Sequence, residues 1–336
     1  MRQSLLLRLI VAVVALAGSA RADAEVRDLT IADQFGIAYL PLLVMQDQHL
    51  IEKQAAADGL GTITVHWAKF GGAGSINDAL LSGSINIGVA GIPSLLLLWD
   101  KTKGTADAAI GVCAINNTPM YLNTRDPKIR TLQDFTSDGK IAVPSVRVSV
   151  QAIALEIMAA ETFGSDQYDR LDKLTVSMRH PDAMAALLSG SGDVTSHFAS
   201  PPFMFEELEQ PGIRRIISSK DVVGDTSFVV AYGMGKFYES NPKVVSAFVA
   251  ATKQAMAFIE AHKRDAAALY VKRAGMKDAD VSSIVKMLND PDLVYSPAPT
   301  GIMKYAHFMR SIGRLKSEPT SWKDVFIPAV HELPGS

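Results

Sequence analysis

Ala79-Leu80-Leu81-Ser82-Gly83-Ser84 recurs, letter for letter, as Ala186-Leu187-Leu188-Ser189-Gly190-Ser191. Each copy closes a helical stretch and opens a strand-like one, with glycine where a helix would stop. The match carries its flanks with it. Thr64-Val65 leads the first copy as Thr175-Val176 leads the second, and Ile31-Ala32 and Ile141-Ala142 lie further upstream at nearly the same offset. Six letters can match by chance in low-complexity sequence, but a chance repeat would not bring its neighbouring strands along. Each half reads strand, helix, strand, helix, strand. Two such α/β halves predict two lobes with a cleft between them, and clefts at domain boundaries are where small molecules bind.

Working outward, the first half predicts strands over 28–32, 62–67 and 85–89, with an apolar helix through Leu40, Leu43, Val44 and Met45 and another over 75–81. Gly91-Ile92-Pro93-Ser94 marks a helix start before the run Leu95 to Trp99. The apolar stretch 108–115 is read as the first crossing between lobes. The second half repeats this logic, with strands over 141–143, 174–178 and 194–198 and helices over 149–160 and up to Leu188. Residues 228–232 are read as carrying the chain back, and amphipathic helices over 244–262 and 265–274 are expected to pack on the first lobe. This divides the chain into a first lobe of 23–115 plus 230–336 and a second of 116–229.

The N-terminus has a basic start (Arg2, Arg8), an apolar run from Leu9 to Gly18, and small residues Ala20 and Ala22 before Asp23. That is the pattern of a secretory signal peptide over 1–22, with cleavage after Ala22 or, second, after Ala24. The apolar run is shorter than the roughly 20 residues of a membrane span. Cys113 is the one cysteine and lies far from the cleavage site, so no lipid anchor, internal disulfide or redox role is expected; its apolar surroundings predict an inert thiol. Removing 1–22 takes away three arginines and no acid, leaving 30 basic against 35 acidic residues, so nucleic acid is not an expected partner.

The order of residues resembles the periplasmic substrate-binding proteins of the nitrate/sulfonate/taurine type that serve ATP-driven (ABC) importers. The carriers are Ile37-Ala38-Tyr39-Leu40-Pro41, Phe70-Gly71-Gly72, Ala79-Leu80-Leu81-Ser82-Gly83 before Ile85-Asn86-Ile87-Gly88, Thr131-Leu132-Gln133-Asp134-Phe135 and Gly139-Lys140-Ile141-Ala142-Val143-Pro144. Each motif alone is modest, and their order behind a signal peptide is what carries the likeness, over nearly the whole mature chain. The resemblance implies an α/β, two-lobed periplasmic binding protein fold (type II) joined by two crossovers. It further implies a monomer in the periplasm that closes on one small ligand and delivers it to a membrane permease, without a cofactor or metal.

Ligands of open α/β sheets sit outside the C-terminal ends of the strands. That rule alone selects Gln34, Phe35, Gly36, Tyr39, Phe70, Gly72, Gly91 and Ile92 on the first lobe, and Ser145, Val146, Arg147, Ser149, His180, His197 and Phe198 on the second. The loop 145–149 precedes a helix whose first N–H groups lack partners, which favours an anion. Arg147 offers a fork of donors to a carboxylate or sulfonate; the alternative is a solvated turn arginine paired with a surface acid. His180 and His197 fall at corresponding strand ends and are read either as ligand contacts or as structural histidines. Phe35, Tyr39, Phe70 and Phe198 form either an apolar slot for a ring or alkyl chain or ordinary core.

Neither Gly-x-Ser-x-Gly nor His-Glu-x-x-His is present, which disfavours a hydrolase. The function expected is therefore binding of a small organic anion. The open alternatives are an enzyme of the same fold acting on a bound carboxylate, and a sensor docking on a membrane receptor.

Overall fold

The computed structural model describes residues 25–336; the expected signal peptide lies outside them. In chain order the strands are β1 (Asp28–Asp33), β2 (Thr64–Lys69), β3 (Ile87–Gly91), β4 (Ala109–Asn117), β5 (Tyr121–Thr124), β6 (Lys140–Val143), β7 (Thr175–Ser177), β8 (Val194–Ala199), β9 (Arg214–Ser218), β10 (Ser227–Met234) and β11 (Val294–Tyr295). They form two sheets, ordered β11-β4-β10-β3-β1-β2 and β7-β6-β8-β5-β9.

Starting from its parallel edge, the first sheet runs β2-β1-β3-β10-β4 and the second β7-β6-β8-β5-β9. In each, three parallel strands are followed by an antiparallel one and then by an outer partner antiparallel to that. The duplication signalled by the hexapeptide is thus a duplication of topology. In each sheet the fourth strand arrives from the other half of the chain: β4 crosses through 118–120 into β5, and β9 returns through 219–226 into β10.

The two hexapeptides fold alike. Helix Ala73–Leu81 ends before Gly83 at φ 73°, and helix His180–Ser189 ends at Gly190 at φ 68°. These are left-handed positions that glycine fills without a Cβ penalty. Ser82 Oγ donates to the Ala79 carbonyl at 3.1 Å and Ser189 Oγ to the Ala186 carbonyl at 2.9 Å. Leu81 and Leu188 are each 39% exposed, so equivalent side chains stand at equivalent places on the surface.

The central strands β3 and β10 are buried almost throughout, as their unbroken apolar and small residues require. Helix Pro242–Ala261 lays Val244, Val245, Phe248, Ala251, Ala255 and Ile259 on helices Leu40–Gln48 and Leu50–Ala57, packing on the first sheet's side of the molecule. Cys113 is wholly buried, and burial pushes its thiol up to about 12.

Three strands were not expected from sequence: the two-residue edge strand β11, and β5 and β9. β5 is four residues long and carries buried Asn123 and Thr124, while β9 begins with Arg214-Arg215. Neither shows the apolar run or alternation by which strands are recognised. Asn123 Nδ2 instead donates to the Met204 carbonyl and Glu207, and Thr124 Oγ1 to the Thr195 carbonyl.

Gly111 in β4 shows how tightly the first sheet is covered. A Cβ there would lie 2.6 Å from ring carbons of the buried Phe326. Gly111→Ala is expected to cost roughly 1–3 kcal/mol by overpacking. A fall in the urea midpoint at unchanged slope checks it.

Candidate functional site

The C-terminal ends of β1, β2 and β3 face those of β6, β7 and β8, and the lobes touch there. Ile37 N–H donates to the Pro201 carbonyl at 3.1 Å, and Gly74 N–H to Ser145 Oγ at 3.4 Å. The approach is close enough that glycine is required: a Cβ on Gly91 would stand 2.7 Å from Val150 Cβ, and one on Gly36, whose φ is 114°, 2.9 Å from the Pro201 carbonyl oxygen.

Two connected spaces remain between the lobes. The inner one is a slot of about 20 Å³ lined by Gln34, Phe35, Tyr39, Gly91, Ser149, Gln151 and His180, with Phe228 and Val229 of β10 at its back. The outer one is a cleft of about 660 Å³ that shares Gln34, Phe35 and Tyr39 and adds Gly36, Trp67, Lys69, Arg179, Phe203, Glu206, Tyr270 and Arg273.

Seven of the sequence-selected residues therefore line one space or both: Gln34, Phe35, Gly36, Tyr39, Gly91, Ser149 and His180. Gly72 and Ser145 lie where the lobes touch. Ile92 and Phe198 are fully buried in the core, and Phe70 and Val146 pack against it. Arg147 lies outside both spaces. Its backbone is left-handed (φ 62°), its side chain is 58% exposed, and its Nε donates to Asp172 Oδ2 at 3.0 Å. This is the geometry of a turn arginine holding a neighbouring acid.

His180 and His197 do meet, with His180 Nδ1 2.8 Å from His197 Nε2. They do not meet as ends of neighbouring strands, because β6 lies between β7 and β8. They meet because His180 begins the helix that packs on β8. His197 itself is wholly buried behind the slot, against Glu207.

Ser149 caps helix Val150–Phe163 by accepting from the Ala152 N–H, and this fourteen-residue helix points its N-terminus into the slot. Free N–H groups and the helix dipole make that end favourable for negative charge. In the outer cleft two cations stand near the Phe35 ring, with Lys69 Nζ 5.7 Å and the Arg179 guanidinium 5.8 Å from its centre. Each cation also holds an acid: Lys69 pairs with Asp33 at 2.7 Å and Arg179 with Asp182. Burial raises the Asp33 carboxyl, with Lys69 opposing. Burial also raises Glu206, helped by the charges of Asp280, Glu209 and Glu207. Burial and the neighbouring His197 hold His180 well below the usual imidazole range.

Sequence reasoning missed Gln151, Arg179, Phe203 and the wall supplied by helix Lys263–Ala274 through Tyr270 and Arg273. Arg179 adjoins His180 and Gln151 lies two positions past Ser149, so extending the same loops by one and two residues would have found them. Tyr270 and Arg273 had no local signal. Among the described residues, no group of three or more His, Cys, Asp or Glu is arranged to hold a metal ion.

No family model matches the chain, and no curated protein matches it. Solved structures do match in fold. The alkanesulfonate-binding protein SsuA from Xanthomonas axonopodis pv. citri bound to MOPS superposes with a TM-score of 0.67 at 18% identity, covering 88% of this chain and 96% of that one. The periplasmic nitrate-binding protein NrtA from Synechocystis PCC 6803 gives 0.68 at 15% identity, covering 90% and 85%. A Candida albicans protein described as exhibiting the generic periplasmic binding protein structural fold gives 0.63 at 13% identity, covering 88% and 92%. The chain has the two-lobed periplasmic binding protein fold.

Proposed function

We propose that this chain is the periplasmic solute-binding component of an ABC-type importer. It binds a small organic anion, a carboxylate or sulfonate, between two closing lobes and hands it to a membrane permease. The observation that carries this reading is the slot itself: strand ends from both lobes converge on the N-terminus of helix Val150–Phe163, with an aromatic and cationic cleft as the approach. The names of the similar structures, an alkanesulfonate binder and a nitrate binder, support the same class of ligand.

We read the site as a binding site rather than a catalytic one, because Gln151 and His180 in the slot are tied to each other and Ser149 to its helix cap. Gln34, Phe35, Tyr39, Ser149 and His180 are the proposed contacts. Arg147 acts indirectly at most, by ordering the loop before the helix.

A slot of about 20 Å³ has room for roughly one water molecule, so ligand entry requires the lobes to part. A ligand that touches both lobes binds the closed form better and shifts the balance toward it. In a thermal-shift screen of small carboxylates and sulfonates, a true ligand at a hundred times its Kd is expected to add about 2.7 kcal/mol of apparent stability. The same compound should reduce the radius of gyration in small-angle scattering. Stabilisation by no acid, or binding without compaction, would overturn the reading.

A further inference from the structure

Five charged side chains line the outer cleft, and four of them are matched. Lys69 pairs with Asp33 at 2.7 Å, both within the lining. Arg179 pairs with Asp182, and Arg273 with Asp47 at 3.3 Å. Glu206 is the fifth, and among the described residues its side chain has no ion pair and no hydrogen bond. It is half-buried on helix Phe203–Leu208 of the second lobe, and the charges that reach it, from Asp280, Glu209 and Glu207, are all negative. Burial and like charges both oppose ionisation of a carboxyl, and a cation beside it offsets both.

A second polar group, on the other lobe, is equally without a partner. Tyr270 belongs to helix Lys263–Ala274, is 4% exposed, and lines the cleft with the surface it has left. Its hydroxyl makes no hydrogen bond among the described residues, yet it is not one of the fully enclosed unpartnered atoms, so it opens on the cleft. Glu206 is near enough that its charge, after burial, raises the Tyr270 hydroxyl. Buried polar groups are almost always hydrogen-bonded, and a carboxylate and a phenol oxygen left open together can accept from one donor.

The walls beside this pair are aromatic, with Phe35 and Trp67 on the first lobe and Phe203 on the second. Such faces suit a ring or an alkyl chain, and ring faces attract a cation. At about 660 Å³ the cleft has room for a body of that kind, which the slot of about 20 Å³ does not.

We propose that Glu206 and the Tyr270 hydroxyl together hold an amine of the ligand across the two lobes, so that the ligand is an amphoteric acid with an apolar or aromatic body. Its anion lies toward the N-terminus of helix Val150–Phe163 and its ammonium in the outer cleft. This rests on the slot being the anion site. One ammonium donates to groups on both lobes at once, which ties recognition of the amine to closure. Lys69, Arg179 and Arg273 are engaged by Asp33, Asp182 and Asp47, so the lining offers a second acid group no unpaired cation among the described residues.

The experiment is calorimetry on the mature chain with two sets of probes that differ only at the far end. One set is 4-(aminomethyl)benzoate, 4-ethylbenzoate and 4-(carboxymethyl)benzoate; the other, of longer span, is 8-aminooctanoate, nonanoate and nonanedioate. The wild type is expected to favour the amino member of at least one set over its alkyl counterpart about tenfold or more, and Glu206→Gln to bring that pair within about twofold. Glu209→Gln, which removes a neighbouring exposed carboxyl outside the cleft lining, is expected to keep the preference. Equal affinity of amino and alkyl members in both sets, or a diacid that binds best, overturns this proposal and leaves the anion site standing; neither result depends on a variant folding. A preference that survives Glu206→Gln, or that is lost equally in Glu209→Gln, also overturns it. 4-Methylbenzylamine has the ammonium and no acid: binding as tight as that of 4-(aminomethyl)benzoate overturns the anion site and with it the amphoteric class. Binding of none of these compounds overturns both readings.

Discussion

Gly72→Ala is expected to weaken ligand binding by about 100-fold or more while leaving the fold intact. Gly72 has extended backbone (φ −168°, ψ 167°) that any residue adopts, so alanine meets no backbone strain. Its Cβ, however, would stand closer than 3.0 Å to Ser145 Oγ and to the Pro144 carbonyl oxygen. Those atoms belong to the opposite lobe. A hydroxyl can swing aside, but a backbone carbonyl moves only if the lobe moves. The substitution therefore acts on closure, and apparent affinity falls in proportion to the lost closed population. Since Gly72 also precedes helix Ala73–Leu81, a cost to folding of up to about 1 kcal/mol is expected from the cap. Calorimetry with the best acid of the thermal-shift screen, and scattering that stays at the open radius, check the outcome. Unchanged affinity would mean that the lobes do not meet at this point when ligand is bound.

The second large effect is predicted at Arg314, which follows helix Ile302–Ser311 and reaches across to the second lobe. It pairs with Glu156 and lies 3.3 Å from Asp172 Oδ2; the Glu156 side chain is 1% exposed and that of Asp172 10%. Arg314→Met leaves the buried Glu156 and Asp172 facing each other with only the partial help of Arg147, and leaving such buried groups unpaired costs on the order of 1–3 kcal/mol. The same cluster predicts a pH dependence. Burial and then the charge of Asp172 push the Glu156 carboxyl up to about 8, against the pull of Arg314. From the ordinary carboxylate range up to about 8 the folded chain therefore holds a proton that the unfolded chain has released. Stability falls as pH rises through that window and levels off above it. Thermal melts from pH 5 to 9 should show this decline, and Glu156→Gln should flatten it. A Glu156→Gln profile that keeps the wild-type slope would assign the decline elsewhere.

The sequence revealed the architecture because its strongest signal was topological. A repeated helix ending implies a repeated strand-helix-strand unit, and both sheets follow the same order as a result. β5 and β9 escaped notice because their buried or edge positions are occupied by asparagine, threonine and arginine, whose hydrogen bonds are made with partners far along the chain. The loops at strand ends were legible for the same topological reason, and Gln34, Phe35, Ser149 and His180 do border the slot. Which way a side chain turns from such a loop was not legible. Arg147 is drawn to Asp172, twenty-five positions away, and nothing local marks that acid as its partner. Tyr270 and Arg273 reach the cleft from a helix whose place depends on packing against Leu40–Gln48, which no short-range pattern encodes.

The exchange of β5 and β10 between the two halves has a consequence for how the gene can be divided. A fragment ending at Asn117 would hold β1 to β4 and lack β10, which separates β3 from β4, so its sheet would have a gap in the middle rather than a missing border. A fragment running from Thr118 to Ser218 would keep its whole five-stranded order. The two halves are thus unequal as separate polypeptides: the inserted segment is the one suited to expression by itself, and the remainder recovers its missing strand only when the C-terminal piece is supplied alongside.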